Sequence, residues 1–206
     1  MSKINIRWII TIFFLSLSLY GDSPSKDGWI NLFDGKSLKG WEAQAEGDVK
    51  VKNGEIQILS VKKNLWLLND HTFKNFELEA EVHMPTDKYN SGIGFRCAPG
   101  AKKITGYQCE IAEELSGAIY AIGKGWVYPP KKDEFPQFYK KAQDCFKSNA
   151  WNHIKIKCEG ETIQIWINGH QTANVTNSYF SEGRIALQHH GKGGVHRFKN
   201  VKVRKL

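Results

Sequence analysis

The sequence predicts an all-β fold, an antiparallel β-sandwich, on three observations. Apolar and polar residues alternate over many short runs, as in Phe76 to His83, where Phe76, Leu78, Ala80 and Val82 interleave with Glu77, Glu79, Glu81 and His83. Turn dipeptides punctuate those runs, Asn53-Gly54 and Asn168-Gly169 being the plainest. Helical periodicity is almost absent. Period-two alternation marks strands with one dry and one wet face, and Asn-Gly between apolar runs marks a tight hairpin. About a dozen such strands with no internal repeat fit two packed antiparallel sheets.

Taken in order, the chain begins with a leader, residues 1–21. Lys3 and Arg7 form a basic start, and Trp8 to Leu19 an apolar stretch too short to span a bilayer comfortably. Cleavage near Ser18 or Gly21 would release a domain over residues 22–206. Retention of the leader as an anchor is the other reading. Export to the periplasm or the outside is expected, without stable membrane insertion. The formal charge of +8 is spread over scattered lysines and turn pairs such as Lys102-Lys103. No basic stripe forms, so a nucleic-acid partner is not expected.

Gly28 to Trp41 contains the turn signal Asp34-Gly35. Val49 to Leu59 reads as two strands around Asn53-Gly54. Asn64 to Phe73 is a third run that ends in a polar corner at Asn69, Asp70 and His71. Asp70 is either a turn cap or a sugar ligand there. Phe76 to Tyr120 is the centre of the chain. In its second strand Ile93, Phe95 and Cys97 are expected on one face, and Gly92, Gly94 and Arg96 on the other. In its third, Tyr107, Cys109 and Ile111 face inward, and Gln108 and Glu110 outward. Paired strands would then bring Arg96, Gln108 and Glu110 onto one surface with glycines beneath open space. Such a set suits polyol binding or acid–base chemistry. It is also what an ordinary solvated strand face looks like.

Ala121 to Ala150 has three prolines in GKGWVYPPKKDEFPQ and no periodicity, so it reads as a long loop. Lys124, Trp126 and Tyr128 are its pocket candidates. PQFYKKAQDCFK suits a short helical turn. Regular strands return at Trp151 to Cys158 and Thr162 to Ile167, then Gln171 to Val175 after the Asn168-Gly169 hairpin. Gly183 to His190 sends Ile185 and Leu187 one way and Arg184, Ala186, Gln188 and His190 the other. Val195 to Leu206 closes the chain on Phe198, Val201 and Val203. Cys97, Cys109, Cys145 and Cys158 leave disulfides and buried free thiols equally open, and no Cys/His spacing fits structural zinc.

The ordered set GWINLFDGKSLKGW, FELEAEV, NSGIGFR, GYQCEI with SGAIY, WINGH and RIALQHHG…FKNVKV resembles the 3-keto-disaccharide hydrolase domain, long described as a domain of unknown function. The resemblance runs from Gly28 to Leu206. It implies a concanavalin A-like jelly roll acting on 3-keto-glycosides, and it places Glu110 in the site with Asn90, Ser91, Gly92, Phe95 and Arg96. Its closing motif puts the family's histidine at His190. Where the family often has an aspartate this chain has His189, which questions any carboxylate role at that position.

A 3-keto group acidifies the C2 hydrogen, so a base can start elimination of the C1 substituent, with water adding afterwards. This route needs no pair of carboxylates across the bond. It does need a stabilised enolate oxygen. Glu110 and His190 are the acid–base candidates, and Arg96 or Lys124 the oxyanion holder, with Arg96 counted among the catalytic candidates. Asn90, Gln108, Tyr120, Lys124, Trp126, Gln188 and Asp70 are the candidate substrate ligands. A divalent cation would serve the oxyanion as well, and the sequence leaves that cofactor open. His71, His83, His153, His170 and His196 read as structural or surface groups. A noncatalytic carbohydrate-binding domain is the alternative function, and a structural surface domain a third.

Overall fold

The computed structural model of the chain describes residues 27–206, apart from residues 62–63, 86–87, 101–103, 143 and 192–193 and the side chains of residues 60 and 61. The leader lies outside the described residues. Early strands are β1 (Trp29–Asn31), β2 (Trp41–Ala43), β3 (Gly47–Lys52), β4 (Glu55–Val61), β5 (Leu65–Phe73) and β6 (Phe76–His83). The middle of the chain gives β7 (Asn90–Ala98), β8 (Thr105–Ala112), β9 (Ile119–Ile122), β10 (Gly125–Tyr128) and one α-helix, α1 (Phe135–Ala142). The last third gives β11 (Trp151–Glu159), β12 (Thr162–Ile167), β13 (His170–Thr176), β14 (Gly183–His189) and β15 (His196–Lys205).

Two antiparallel sheets result, so the expected sandwich is what the chain forms. One runs β13-β12-β11-β6-β15-β4-β3, with β1 added along β15. The other runs β10-β9-β8-β7-β14-β5-β2. The alternation along β6 does what its pattern dictates. Phe76, Leu78, Ala80 and Val82 are almost fully buried between the sheets. They meet Ile93, Phe95, Tyr107, Cys109, Ile111, Ile185 and Leu187 from the facing sheet. Burying each large side chain of this kind stabilises the fold by about 1.5–3 kcal/mol before chain entropy is counted.

The outward row of β6 forms an ion ladder with its two neighbours. Glu77 pairs with Lys155 at 3.0 Å and with Arg204; Glu79 pairs with Lys202 at 3.0 Å; Glu81 pairs with Lys199 at 3.3 Å. Burial alone would push the Glu77 carboxyl up, but Arg204 and Lys155 outweigh it and hold it below its ordinary value. Both hairpin turns take left-handed backbone at each central residue: φ is 55° and 75° at Asn53 and Gly54, and 50° and 84° at Asn168 and Gly169.

Two readings of the sequence are corrected. The stretch after Ala121 is not one long loop. Ile119–Ile122 and Gly125–Tyr128 form the β9–β10 hairpin, and α1 follows it. Trp126 packs edge-on against Tyr120 (5.1 Å) and Phe135 (4.9 Å), and this tertiary contact replaces any local periodic signal. The second correction lies in β7. Its register against β8 shifts between Phe95 and Ala98, and Arg96 has φ 49°. This bulge inverts the alternation after Phe95. Cys97 moves to the outer face beside Trp66 and Ala186, and Arg96 is buried at 1% exposure.

Arg96 then serves as a clamp. Its guanidinium donates to Lys74 O (2.8 Å), Gly160 O (2.7 Å) and Phe180 O (3.1 Å). Those carbonyls lie in the β5–β6, β11–β12 and β13–β14 connections, so one side chain ties both sheets together. Gly183 permits the close approach, because a Cβ there would collide with the Arg96 and Cys97 backbone. The four cysteines are buried free thiols. Arg96→Leu strips three carbonyls of charged donors and is expected to cost about 3 kcal/mol or more in urea unfolding. A loss under about 0.5 kcal/mol, the range of an ordinary surface change, would show that the clamp carries no load.

Candidate functional site

The outer face of the seven-stranded sheet carries a polar centre. On β8, alternation sends Tyr107, Cys109 and Ile111 into the core and leaves Gln108 and Glu110 outside. Opposite them on β7 stand Gly94 and Gly92, paired with Gln108 and Glu110 respectively. A Cβ at Gly92 would lie 2.6 Å from Gln108 Nε2 and 2.7 Å from its Cγ. The absent side chain is what lets the Gln108 amide lie flat across the sheet.

The nitrogen of that amide is committed. Gln108 Nε2 donates to Glu110 Oε2 at 2.9 Å and to Gln188 Oε1 at 3.0 Å. Gln188 arrives from the neighbouring β14, and its Nε2 donates onward to Asn64 Oδ1 at 3.2 Å. Ser91 Oγ donates to Gln188 O at 2.7 Å and fixes the strand beneath. Glu110 is 7% exposed, and burial lifts its carboxyl from the ordinary 4.5 to about 8. A carboxyl held there is poised for proton transfer near neutral pH, which is a mark of functional sites.

A cleft of ≈ 370 Å³ opens above this centre, lined by Glu110, Gln108, Gln188, Asn90, Tyr120, Trp126 and His190. His190 follows the end of β14 and is held at the rim by its backbone N–H donating to Asn90 O at 3.0 Å. Its neighbour His189 turns inward. His189 Nδ1 accepts from Gly191 N at 3.0 Å, Nε2 lies 3.1 Å from Gly194 O, and the ring stacks on His196 at 3.8 Å. Burial holds the His189 imidazole below its ordinary value. It is a fixed support under the His190 turn, outside the cleft lining.

The structure thus gathers seven of the ten sequence candidates: Glu110, His190, Asn90, Gln108, Tyr120, Trp126 and Gln188. It separates three. Arg96 is the interior clamp already described, because the bulge turns it away from Glu110. Asp70 is exposed on β5, 2.8 Å from His71 Nδ1, and does not line the cleft. Lys124 sits at the exposed tip of the β9–β10 turn with its ammonium 5.3 Å from the Tyr179 ring centre. Sequence reasoning missed Asn64, Trp66 and Leu115, which also line the cleft. Asn64, just before β5, is in phase with Trp66 on it, while Leu65 and Leu67 face the core. That phase was readable, but the polar corner further along drew the choice to Asp70. Among the described residues, no group of three His, Cys, Asp or Glu side chains is placed to hold a metal ion. No helix among them is long and apolar enough to cross a membrane.

Fold and cleft together define a lectin-like β-sandwich with a sugar-sized polar cleft on one sheet. The model of the 3-keto-alpha-glucoside-1,2-lyase-like domain matches residues 28–204, and the chain belongs to that family. Among solved structures, two proteins of Parabacteroides distasonis ATCC 8503, assigned provisionally to the glycosyl hydrolases, share the fold. One is 17% identical with TM-score 0.65, covering 90% of this chain and 99% of that one. The other is 22% identical with TM-score 0.62, covering 86% and 99%. A carbohydrate-binding module of Bacillus subtilis is 17% identical with TM-score 0.57, covering 81% and 96%. Among curated proteins, none matches the sequence.

Two outcomes follow from this geometry. The Glu110 carboxyl holds its proton more tightly in the folded chain than in the unfolded one. Its contribution to stability is complete below about pH 4.5 and is lost as the pH climbs through about 8. The melting temperature of the wild type should therefore fall between pH 5 and 8.5 relative to Glu110→Gln; parallel curves would contradict the buried carboxyl. Gly92→Ala should push Gln108 off Glu110, destabilising the fold by about 1–3 kcal/mol as overpacking does. Unfolding in urea reads the cost directly, and an unchanged midpoint would show that the floor has slack.

Proposed function

We propose that the protein cleaves 3-keto-glycosides by taking the C2 proton, eliminating the C1 substituent and adding water to the unsaturated product. The observation that carries this reading is Glu110, a single buried carboxyl raised to about 8 at the floor of a sugar-sized cleft. An ordinary glycosidase needs two carboxyl groups flanking the bond. Elimination next to a ketone needs one strong base, and a carboxyl with a raised pKa is a stronger base than an ordinary one.

In this mechanism the ionised Glu110 takes the hydrogen from C2, and the electron pair moves to the C3 oxygen as an enolate. Gln108 cannot serve that oxygen, because its amide hydrogens are spent on Glu110 and Gln188. It is a positioning residue. The enolate falls to the carboxamide donors of Asn90 and Asn64, which line the cleft. Asn64 accepts from Gln188 through Oδ1, which leaves its Nδ2 for the substrate. As the enolate collapses, the C1–O bond breaks and protonated His190 at the rim gives its proton to the leaving oxygen. Water then adds its hydroxyl to C1 and returns a proton to His190, while Glu110, its proton exchanged with solvent in the open cleft, reprotonates C2. The atoms balance to one water consumed, one 3-keto sugar and one alcohol released. Tyr120 and Trp126 give an apolar wall for a sugar face. The basic and apolar leader, Lys3 to Leu19, supports an exported location for this reaction.

The test is release of a chromogenic alcohol from a 3-keto-glucoside, beside the same glucoside unoxidised. Only the keto substrate should turn over; a nitrophenolate leaves without a proton from His190, so its kcat/KM should rise with pH up to about 8 as Glu110 ionises. Glu110→Gln should lose about 10²–10⁴ in kcat, the usual worth of a general base. Equal cleavage of both substrates, or a fully active Glu110→Gln, would sink the mechanism. Sugar binding with no turnover would favour a noncatalytic, lectin-like role.

A further inference from the structure

The Glu110 cleft does not end at Asn90. A larger cavity of ≈ 590 Å³ opens beside it, and Asn90, Ala112 and Leu115 line both. The two spaces adjoin across a wall formed by these three residues. The second half has its own chemistry. Tyr89 and Leu115 give it an apolar side, and Phe146 braces the Tyr89 ring at 5.6 Å. Glu113 and Glu114 stand exposed on its rim, and among the described residues Lys88 is the one cation lining it. The lining is therefore acidic on a chain whose formal charge is +8.

The turn that carries Glu113 and Glu114 is rigidly joined to the catalytic strand. Leu115 N donates to Ala112 O at 3.2 Å and Ser116 Oγ to the same oxygen at 2.8 Å. Gly117 N donates to Glu110 O at 2.8 Å, and Glu110 N to Ala118 O at 2.9 Å. The acidic rim thus sits at a fixed position relative to the base.

Resting on the function proposed above, we propose that this second cavity holds the leaving group while the keto ring lies over Glu110. We further infer its class: a neutral or amino sugar, and not a uronate or a sugar phosphate. A pyranose offers an apolar C–H face, which suits Tyr89 and Leu115, and an edge of hydroxyl donors, which suits carboxylate acceptors. An ammonium substituent gains attraction from two carboxylates, and an anionic one meets repulsion. The two adjoining volumes, ≈ 370 and ≈ 590 Å³, leave space for a second ring when the first lies over Glu110.

The test compares 3-keto disaccharides that share the keto ring and carry glucose, glucosamine or glucuronate on the leaving side. Wild-type kcat/KM should fall in the order glucosamine, glucose, glucuronate. In the Glu113→Gln/Glu114→Gln double variant the glucosamine-to-glucuronate ratio should shrink by about fivefold, the effect of two exposed charge contacts. A ratio is independent of how much protein folds, so a damaged variant does not mimic the result. An unchanged ratio, or a wild type that prefers glucuronate, would overturn the assignment. If the wild type cleaves none of the three, the elimination reading has failed on its own terms. Calorimetric affinities for the same sugars then decide the cavity: the same order, narrowed in the double variant, supports it, and equal affinities overturn it.

Discussion

The cleft depends on one missing side chain. Because residue 92 is glycine, the Gln108 amide lies against the β7 backbone and can reach both Glu110 and Gln188. That bond supplies Glu110 with one donor and no cation. Burial then dominates the carboxyl, and its pKa rises. Had Arg96 stood on this surface, as the alternation of β7 suggested, a guanidinium beside Glu110 would have held it ionised and weakened it as a base. The bulge that removes Arg96 from the sheet face is therefore part of the chemistry as well as the packing.

The two sheets divide their work. The outer face of the β6 sheet neutralises every glutamate of its central strand with a lysine or arginine from β11 or β15. The outer face of the β8 sheet does the opposite. It carries amides, a carboxyl and aromatic rings, and its bonds run from one side chain to the next without an ion pair at Glu110. The first pattern is a charge-compensated ladder; the second leaves the buried Glu110 carboxyl, among the described residues, with an amide donor and no cation partner. Arg96 joins the sheets at one end through three carbonyls, which keeps the polar face in register with the core behind it.

Much of this was legible in the sequence. The inward and outward rows of β6, β8 and β14, both Asn-Gly hairpins, and the shared surface of Gln108 and Glu110 follow from period-two alternation, whereas Arg96, expected beside them, does not lie there. What alternation hides is a change of phase. Residues 95–98 carry no proline or glycine to announce the bulge; its partners Gly106 and Gly183 lie on other strands, and only their close approach to Arg96 explains it. The β9–β10 hairpin was hidden for a different reason. Its Trp126 and Tyr128 are half-buried against Tyr120, Phe135 and Phe138, so long-range aromatic packing stands in for strand periodicity. Asn64 was missed because an amide at a strand start looks like any turn residue until Gln188 arrives from β14.

The central claim is that Glu110 removes the C2 proton before the glycosidic bond breaks. Hydrolysis of a 3-keto-glucoside in heavy water, followed by proton NMR of the released sugar, tests it most directly. The account predicts deuterium at C2 of the product, at a rate tied to turnover and lost in Glu110→Gln, above the slow exchange of an enzyme-free control. Release of the alcohol with protium retained at C2 would contradict it.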